Sequence, residues 1–258
     1  MVDMTAAASI TPSLQHIRAF LLDLDGVITP TAELHRHAWA ALFTEVFAQY
    51  GVAPYEEADY FTYLDGKPRF DAVRDILASR GISLPAGTPE DAPELETVCG
   101  LGNRKNEHFT RLLEDDGIAA YPGSLDFLRE LANRSIPAAV VTSSRNGRRV
   151  LAAAGLGERF DVIIDGVHAA ELGLPGKPAP DTYLQAAREL GLDAAQCAVV
   201  EDAASGVAAG RAGNFGEVIG VDRGAGHDAL TVHGATRVVD DLAELIPGLR
   251  ATTKGGDA

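Results

Sequence analysis

Two hydrophobic patterns divide the chain. Leu34, Ala38, Ala41, Leu42 and Val46 recur at helical spacing, predicting a helix over Ala32–Tyr50 with His37, Glu45 and Gln49 on its wet side. Gly51 is its stop. Phe70, Val73, Ile76 and Leu77 form a second stripe ended by Gly81, and a further helix is expected over Val98–Leu113. Leu84–Pro93, rich in Pro, Gly and Asp, reads as a loop, and no strong strand pattern lies between Val52 and Gly117. From Ile118 the grammar changes. Ala138–Thr142, Val162–Ile164, Ala198–Val200, Val218–Val221 and Arg237–Val239 read as strands. Ser124–Asn133, Arg148–Ala154, Ala179–Leu190, Ser205–Ala212 and Leu242–Ile246 read as helices. Strands alternating with helices, each strand a continuous β-branched run, predict a parallel sheet covered on both faces. The apolar run from Phe20 joins that sheet, so the expected fold is α/β: a Rossmann-like core over residues 1–31 and 119–258, interrupted by an all-helical insert over 32–118. Residues 1–15 read as a loose leader, with Leu14 and the following Ile17 able to pack on the core, and 251–258 as a frayed tail.

Composition narrows the function. With 258 residues, 46% of them hydrophobic, a sizeable core is available. A formal net charge of −15 argues against nucleic acid or an anionic membrane as a standing partner. It leaves a phosphorylated small molecule open, because local cations and a metal can outweigh the global charge inside a cleft. Cys99 and Cys197 are far apart and form no metal-ligand pattern, which suits buried thiols in a reducing compartment. No basic segment and apolar core mark a signal peptide, and no apolar run approaches the ~20 residues that span a bilayer. A soluble, cytoplasmic, monomeric protein is expected.

The candidate chemistry sits at strand ends. After Phe20-Leu21-Leu22 come Asp23, Leu24, Asp25 and Gly26. Strand side chains alternate faces, so Asp23 and Asp25 can converge on one crevice. Two carboxylates there suit Mg²⁺ and covalent phosphoryl transfer; a solvated Asp-Gly turn explains the same residues. Thr142, Ser143, Ser144, Arg145 and Asn146 close a second strand, where hydroxyls and a helix start could hold phosphate or simply cap the helix. Lys177, bracketed by Gly176 and Pro178 with Pro180 beyond, could neutralise a nucleophilic carboxylate and a transferring phosphoryl group, although most lysines are solvated. Glu201 and Asp202 close a fourth apolar run, as a metal site (with Asp202 the preferred direct ligand) or an acidic turn.

The four motifs, DLDGV, VVTSS, GKPAPD and VVEDAASG, in that order, resemble the haloacid dehalogenase-like phosphotransferase superfamily over nearly the whole chain. The resemblance implies Asp23 as nucleophile, Asp25 as general acid/base, and Thr142 or Ser143 on the phosphoryl oxygens. It implies Lys177 bridging nucleophile and phosphate, and Mg²⁺ served by Asp23, Asp25, Glu201 and Asp202. The helical insert matches the family's cap. Within the superfamily the chain is more similar to the β-phosphoglucomutase group. Thr31 and His35 follow the first motif as they do there; Gly66 with Arg69 resembles a phosphate-gripping cap loop. Arg104, Lys105 and Asn106 resemble a basic cap-helix segment facing the site, and Ser144, Arg145 and Asn146 a distal phosphate site. A guanidinium binds phosphate bidentately, but Arg69 also reads as a surface cation at a helix start, and His35 as a structural histidine. The group implies interconversion of β-glucose 1-phosphate and glucose 6-phosphate, with glucose 1,6-bisphosphate as activator. A sugar phosphatase of the same fold is the alternative, and a non-catalytic module is disfavoured because every expected position is filled. Pro30, Arg145 and the longer Leu84–Pro93 loop depart from the group's pattern and bear on the sugar rather than on the chemistry.

Overall fold

A computed structural model describes residues 13–250. Its centre is β1 (Ala19–Leu22), buried along its whole length. Phe20 and Leu22 face one hydrophobic cluster, Ala19 and Leu21 another, so the strand divides two layers of core as a two-residue period requires. The other strands are β2 (Ala138–Val141), β3 (Ile163–Ile164), β4 (Cys197–Glu201), β5 (Glu217–Val221) and β6 (Arg237–Val239). They form one parallel sheet in the order β3-β2-β1-β4-β5-β6. Leu21 is in register with Ala139 on one side and Val199 on the other. The strand order reverses at β1, so the carboxyl ends of β1, β2 and β4 border the crevice where ligands bind in such sheets.

The insert after β1 is helical, as predicted: α1 (Thr31–Tyr50), α2 (Glu57–Asp59) running into a π-helical turn at Tyr60–Leu64, α3 (Arg69–Ser79) and α4 (Val98–Asp116). It has its own core around Trp39, Phe43, Phe47, Val73, Leu77 and Leu101. The phase of α1 differs from the predicted stripe. Ala41 is exposed, while the pairs 38/39, 42/43 and 46/47 are buried. The stripe is wider than a single-sided pattern suggests because the helix serves two cores: Trp39 stacks on Phe43 within the insert, while Ala38 joins the cluster beside the sheet. Phe109 and Leu113 carry α4 into the same sheet-side cluster.

Beyond the insert come α5 (Pro122–Asn133), α6 (Gly147–Ala153), α7 (Gly166–Glu171), α8 (Asp181–Glu189), α9 (Ala204–Ala212), α10 (His227–His233) and α11 (Ile246–Arg250). α7 and α10 have no counterpart in the sequence reading, being too short to display a helical period. The predicted terminal helix is a 3₁₀ turn at Leu242–Leu245 that continues into α11. β1 contains no β-branched residue; apolarity, not branching, marks it. It also ends before both aspartates. Leu14 and Ile17 are buried, and the Leu14 amide donates to Gly248 O at 3.1 Å, so the core captures the chain from there on. The rest of the predicted leader and the 251–258 tail lie outside the described residues. Among the described residues, no helix is long and apolar enough to cross a membrane.

Candidate active site

After Leu22 the chain folds into a tight turn. The Ile28 and Thr29 amides donate to Leu24 O at 2.9 and 3.0 Å, and the Gly26 amide to Thr29 O at 2.7 Å. This turn, rather than the strand alternation anticipated from sequence, brings Asp23 and Asp25 to one cleft, and it gives them different partners.

Asp23 is buried against Lys177. Lys177 Nζ donates to Asp23 Oδ1 at 2.6 Å, to Glu201 Oε1 at 2.5 Å and to Val141 O at 3.1 Å, which uses all three donors of an ammonium. Glu201 Oε1 also accepts from the Tyr183 hydroxyl at 3.1 Å, and Oε2 from the Ala203 amide at 2.9 Å. Burial alone would lower the Lys177 pKa; Asp23 and Glu201 outweigh it and hold the ammonium charged. Asp23 is pushed well above the usual carboxylate range by burial, with Glu201 and Asp25 adding to it against the pull of Lys177. The cluster holds more acid than one ammonium can balance.

Asp25 faces hydroxyls. Thr31 Oγ1 donates to its Oδ1 at 2.5 Å and Thr142 Oγ1 to its Oδ2 at 3.2 Å, while His35 Nε2 lies 3.5 Å from Oδ1. Burial raises this carboxyl, but His35 and the two hydroxyls together bring it down to about 2. His35 Nδ1 hydrogen-bonds Lys105 Nζ, and its ring stacks on Phe109 with centroids 4.1 Å apart. Burial and then the Lys105 ammonium pull the imidazole below its ordinary value. At neutral pH the Thr31 and Thr142 hydroxyls are therefore the steadier partners of the Asp25 carboxylate. Lys105 is itself 2% exposed, lies over the Trp39 and Phe109 rings, and meets no carboxylate in salt-bridge contact among the described residues. Burial and Arg69 pull its pKa well down.

The same cleft is also lined by cations. Arg69 donates to Asn103 Oδ1 at 3.3 Å and Asn106 Oδ1 at 2.7 Å, and Asn146 Nδ2 donates to the same Asn106 oxygen at 2.8 Å. Arg145 lines the cleft without a carboxylate partner among the described residues. Burial and Arg145 bring Arg69 down to about 10. Neutral amides satisfy donors but cancel no charge, so two guanidinium groups remain open to an anion. Ser143 Oγ donates to Gly66 O at 2.8 Å across the cleft. The Ser144 amide donates to Thr142 Oγ1 at 3.0 Å, and Ser144 Oγ accepts from the Asn146 amide at 3.2 Å. The hydroxyl loop thus braces its own turn and positions Asp25 together.

One member of the predicted basic segment does not face the site. Arg104 donates to Pro93 O at 2.8 Å and approaches Glu96, because a neighbour of Lys105 on a helix points about 100° away. Sequence reasoning missed Trp39, Tyr60, Asp65 and Lys67, which line the cleft, and Tyr183 beneath Glu201. The charges flanking Gly66 were an available signal for Asp65 and Lys67; the aromatic residues carry only the helical spacing of core.

Three of the four predicted metal acids come together. Asp23, Glu201 and Asp202 offer oxygens within 4.8 Å of one another, whereas the Asp25 carboxylate is turned to Thr31, Thr142 and His35. Asp202 packs over Gly26, where a Cβ would lie 1.8 Å from its Oδ2, so only glycine (φ 87°) admits the carboxylate. Burial, then Asp65 and Glu201, push Asp202 well above the carboxylate range. A buried, all-oxygen, net-negative donor set fits Mg²⁺.

A parallel sheet with a helical cap over an Asp-Asp-Lys-acid cleft is the architecture of one enzyme class. The sequence pattern of the haloacid dehalogenase-like hydrolases matches residues 17–214, and the chain belongs to this family and is an enzyme. It is 48% identical over 242 residues to a β-phosphoglucomutase of Mycobacterium tuberculosis, covering 90% of this chain and 92% of the relative. A solved β-phosphoglucomutase from Clostridium difficile is 26% identical, with a TM-score of 0.71 over 89% of this chain and 93% of its own. CbbY from Rhodobacter sphaeroides, solved with xylulose-1,5-bisphosphate, is 28% identical, with a TM-score of 0.68 over 89% and 96%.

Replacing Lys177 by Met leaves Asp23 and Glu201 buried without their counter-charge. The expected loss of stability in metal-free buffer is about 3–5 kcal/mol, measured by urea unfolding; a variant as stable as the parent would contradict the triad's role.

Proposed function

We propose that the chain is a phosphotransferase acting on a sugar phosphate through phospho-Asp23, interconverting β-glucose 1-phosphate and glucose 6-phosphate. The observation that carries this reading is the double lining of the cleft: Asp23, Asp25 and Asp202 share it with Arg69 and Arg145, two guanidinium groups that meet no carboxylate in salt-bridge contact among the described residues. A phosphatase needs one phosphate site and a water. A mutase needs two sites, because one phosphate must be held while the other reacts. The 48% identical relative named β-phosphoglucomutase supports the same choice.

The cycle begins from phospho-Asp23, with Asp25 as carboxylate, the form its low pKa favours. Asp25 takes the proton of the sugar 6-hydroxyl as that oxygen attacks phosphorus and the bond from phosphorus to the Asp23 oxygen breaks. The resulting bisphosphate turns end for end, Arg69 and Arg145 receiving the new phosphate. Asp23 then attacks the 1-phosphate, and Asp25 returns its proton to the departing C1 oxygen. Proton and phosphoryl group both balance, and Asp25 ends as it began. Lys177 pulls on the Asp23 carboxyl against its burial and aims it toward the cleft. The Lys105–His35 pair steers Asp25 from the cap side. Asp23, Glu201 and Asp202 would hold Mg²⁺, which supplies charge neutralisation at the transferring phosphoryl group. Glucose 1,6-bisphosphate would charge Asp23 at the outset. We assign the enzyme to the cytoplasm, where its buried free Cys99 and Cys197 would stay reduced.

A sugar bisphosphatase is the second reading, favoured by the likeness to the CbbY structure solved with a bisphosphate. It shares every residue above and differs in letting water reach phospho-Asp23.

Incubation with glucose 1,6-bisphosphate should add one phosphoryl group to the intact protein by mass spectrometry and none to Asp23→Asn, which should be inactive. A labelled or active Asp23→Asn variant would end the covalent reading. Mg²⁺ should raise the unfolding temperature of the parent and leave Asp202→Asn unmoved, since an ion that binds only the folded state stabilises it. An equal rise in both would remove Asp202 from the metal site.

A further inference from the structure

Two serines of the sheet domain hold consecutive carbonyls of the cap. Ser143, after β2, donates to Gly66 O at 2.8 Å, and Ser205, in the first turn of α9, donates to Asp65 O at 2.9 Å. A serine at the start of a helix usually turns back to cap its own free amides. The N-cap of α9 is Ala203, which cannot cap, and the hydroxyl of Ser205, two residues further on, reaches across the cleft, 140 residues along the chain. The fit is close on both sides. Gly66 has φ 68°, and a Cβ on it would stand 2.3 Å from Ser205 Oγ and 2.9 Å from Ala203 Cβ, so a side chain at 66 would break the contact. Ser205 also lies three residues beyond Asp202, on a segment fixed by the bond from the Ala203 amide to Glu201 Oε2. One short segment therefore carries Glu201, Asp202 and the contact to the cap.

We propose that Ser205 is a positioning residue that clamps the cap loop 64–68 onto the Glu201–Ser205 segment, and that this clamp decides whether phospho-Asp23 gives its phosphoryl group to a sugar or to water. The second half rests on the function proposed above. In either outcome the bond from phosphorus to the Asp23 oxygen breaks and one to an incoming hydroxyl forms, with the hydroxyl proton passing to Asp25. Only the identity of the hydroxyl differs, and a closed cap excludes the smaller competitor. Ser143 secures the adjacent carbonyl, but it also belongs to the phosphate-side loop. Ser205 touches neither substrate nor metal acid directly and isolates the effect.

The test compares the full-length parent, Ser205→Ala and Ser205→Thr. Without any substrate, hydrogen–deuterium exchange of the 64–67 amides should quicken roughly three- to tenfold in S205A, the population change that one lost hydrogen bond gives. S205T, which keeps the hydroxyl, should restore the parent rate. Helix α9 should keep its protection in S205A, since alanine is a good helix former. With β-glucose 1-phosphate and glucose 1,6-bisphosphate, the ratio of free phosphate to glucose 6-phosphate should rise by the same factor in S205A and return in S205T. Unchanged exchange in S205A overturns the clamp. Faster exchange with an unchanged product ratio overturns its part in excluding water. A parent that turns over no sugar phosphate refutes the proposed function, while the exchange comparison still decides the clamp.

Discussion

The rest of the structure depends on one buried ammonium. Lys177 is surrounded by Asp23, Glu201 and the Val141 carbonyl, and these belong to three different segments of one sheet: the end of β1, the end of β4 and the end of β2. A buried charge pair is a poor source of net stability compared with apolar packing, but leaving any one partner out is costly. That asymmetry fixes register. The strand ends must align for the ammonium to be satisfied, and the parallel pairing of β1 with both neighbours aligns them. The same interaction leaves Asp23 facing the cleft with its approach already set.

Around this point the charges are sorted. Acids gather on the sheet side, where Asp23, Glu201 and Asp202 exceed their single ammonium. Cations share the same cleft, where Arg69 meets amides rather than carboxylates and Arg145 lines the wall beside the hydroxyl loop. A chain with net charge −15 thus presents a locally positive pole, which the overall balance conceals. Such a cleft suits a dianion at its cationic end and a cation-assisted phosphoryl group at its acidic end. The cap completes it. His35, Lys105 and Arg69 come from the helical insert, so Asp25 and the distal pole are assembled only with the cap in place, while Ser143 and Ser205 tie its loop to the strand ends.

The parallel sheet and helical insert were legible in the sequence because each strand is a short apolar run and each long helix keeps its period. Three strand-end motifs were legible because charged or hydroxyl residues directly after an apolar run have few structural excuses; Lys177, expected at a fourth strand end, lies instead in the loop between α7 and α8. What escaped was partner choice. Nothing in the local pattern says that Glu201 accepts from Tyr183, that Thr142 orients Asp25, or that Arg104 turns to Pro93 while its neighbour Lys105 turns inward. These are decided by contacts between separate segments, 18 residues apart for Tyr183 and Glu201 and 117 for Thr142 and Asp25, or by helix rotation, and spacing along the chain carries neither. Ser205 shows the limit best: the sequence places it only at a helix start, and the tertiary fold sends its hydroxyl across the cleft.

The central claim is that a cleft with two phosphate poles moves a phosphoryl group between sugar oxygens. The direct measurement follows glucose 6-phosphate and free phosphate together, with purified protein, Mg²⁺ and β-glucose 1-phosphate, with and without a trace of glucose 1,6-bisphosphate. The account predicts glucose 6-phosphate that depends on the bisphosphate, without matching phosphate release. Release of phosphate with no glucose 6-phosphate would contradict it and leave the second pole serving a phosphatase.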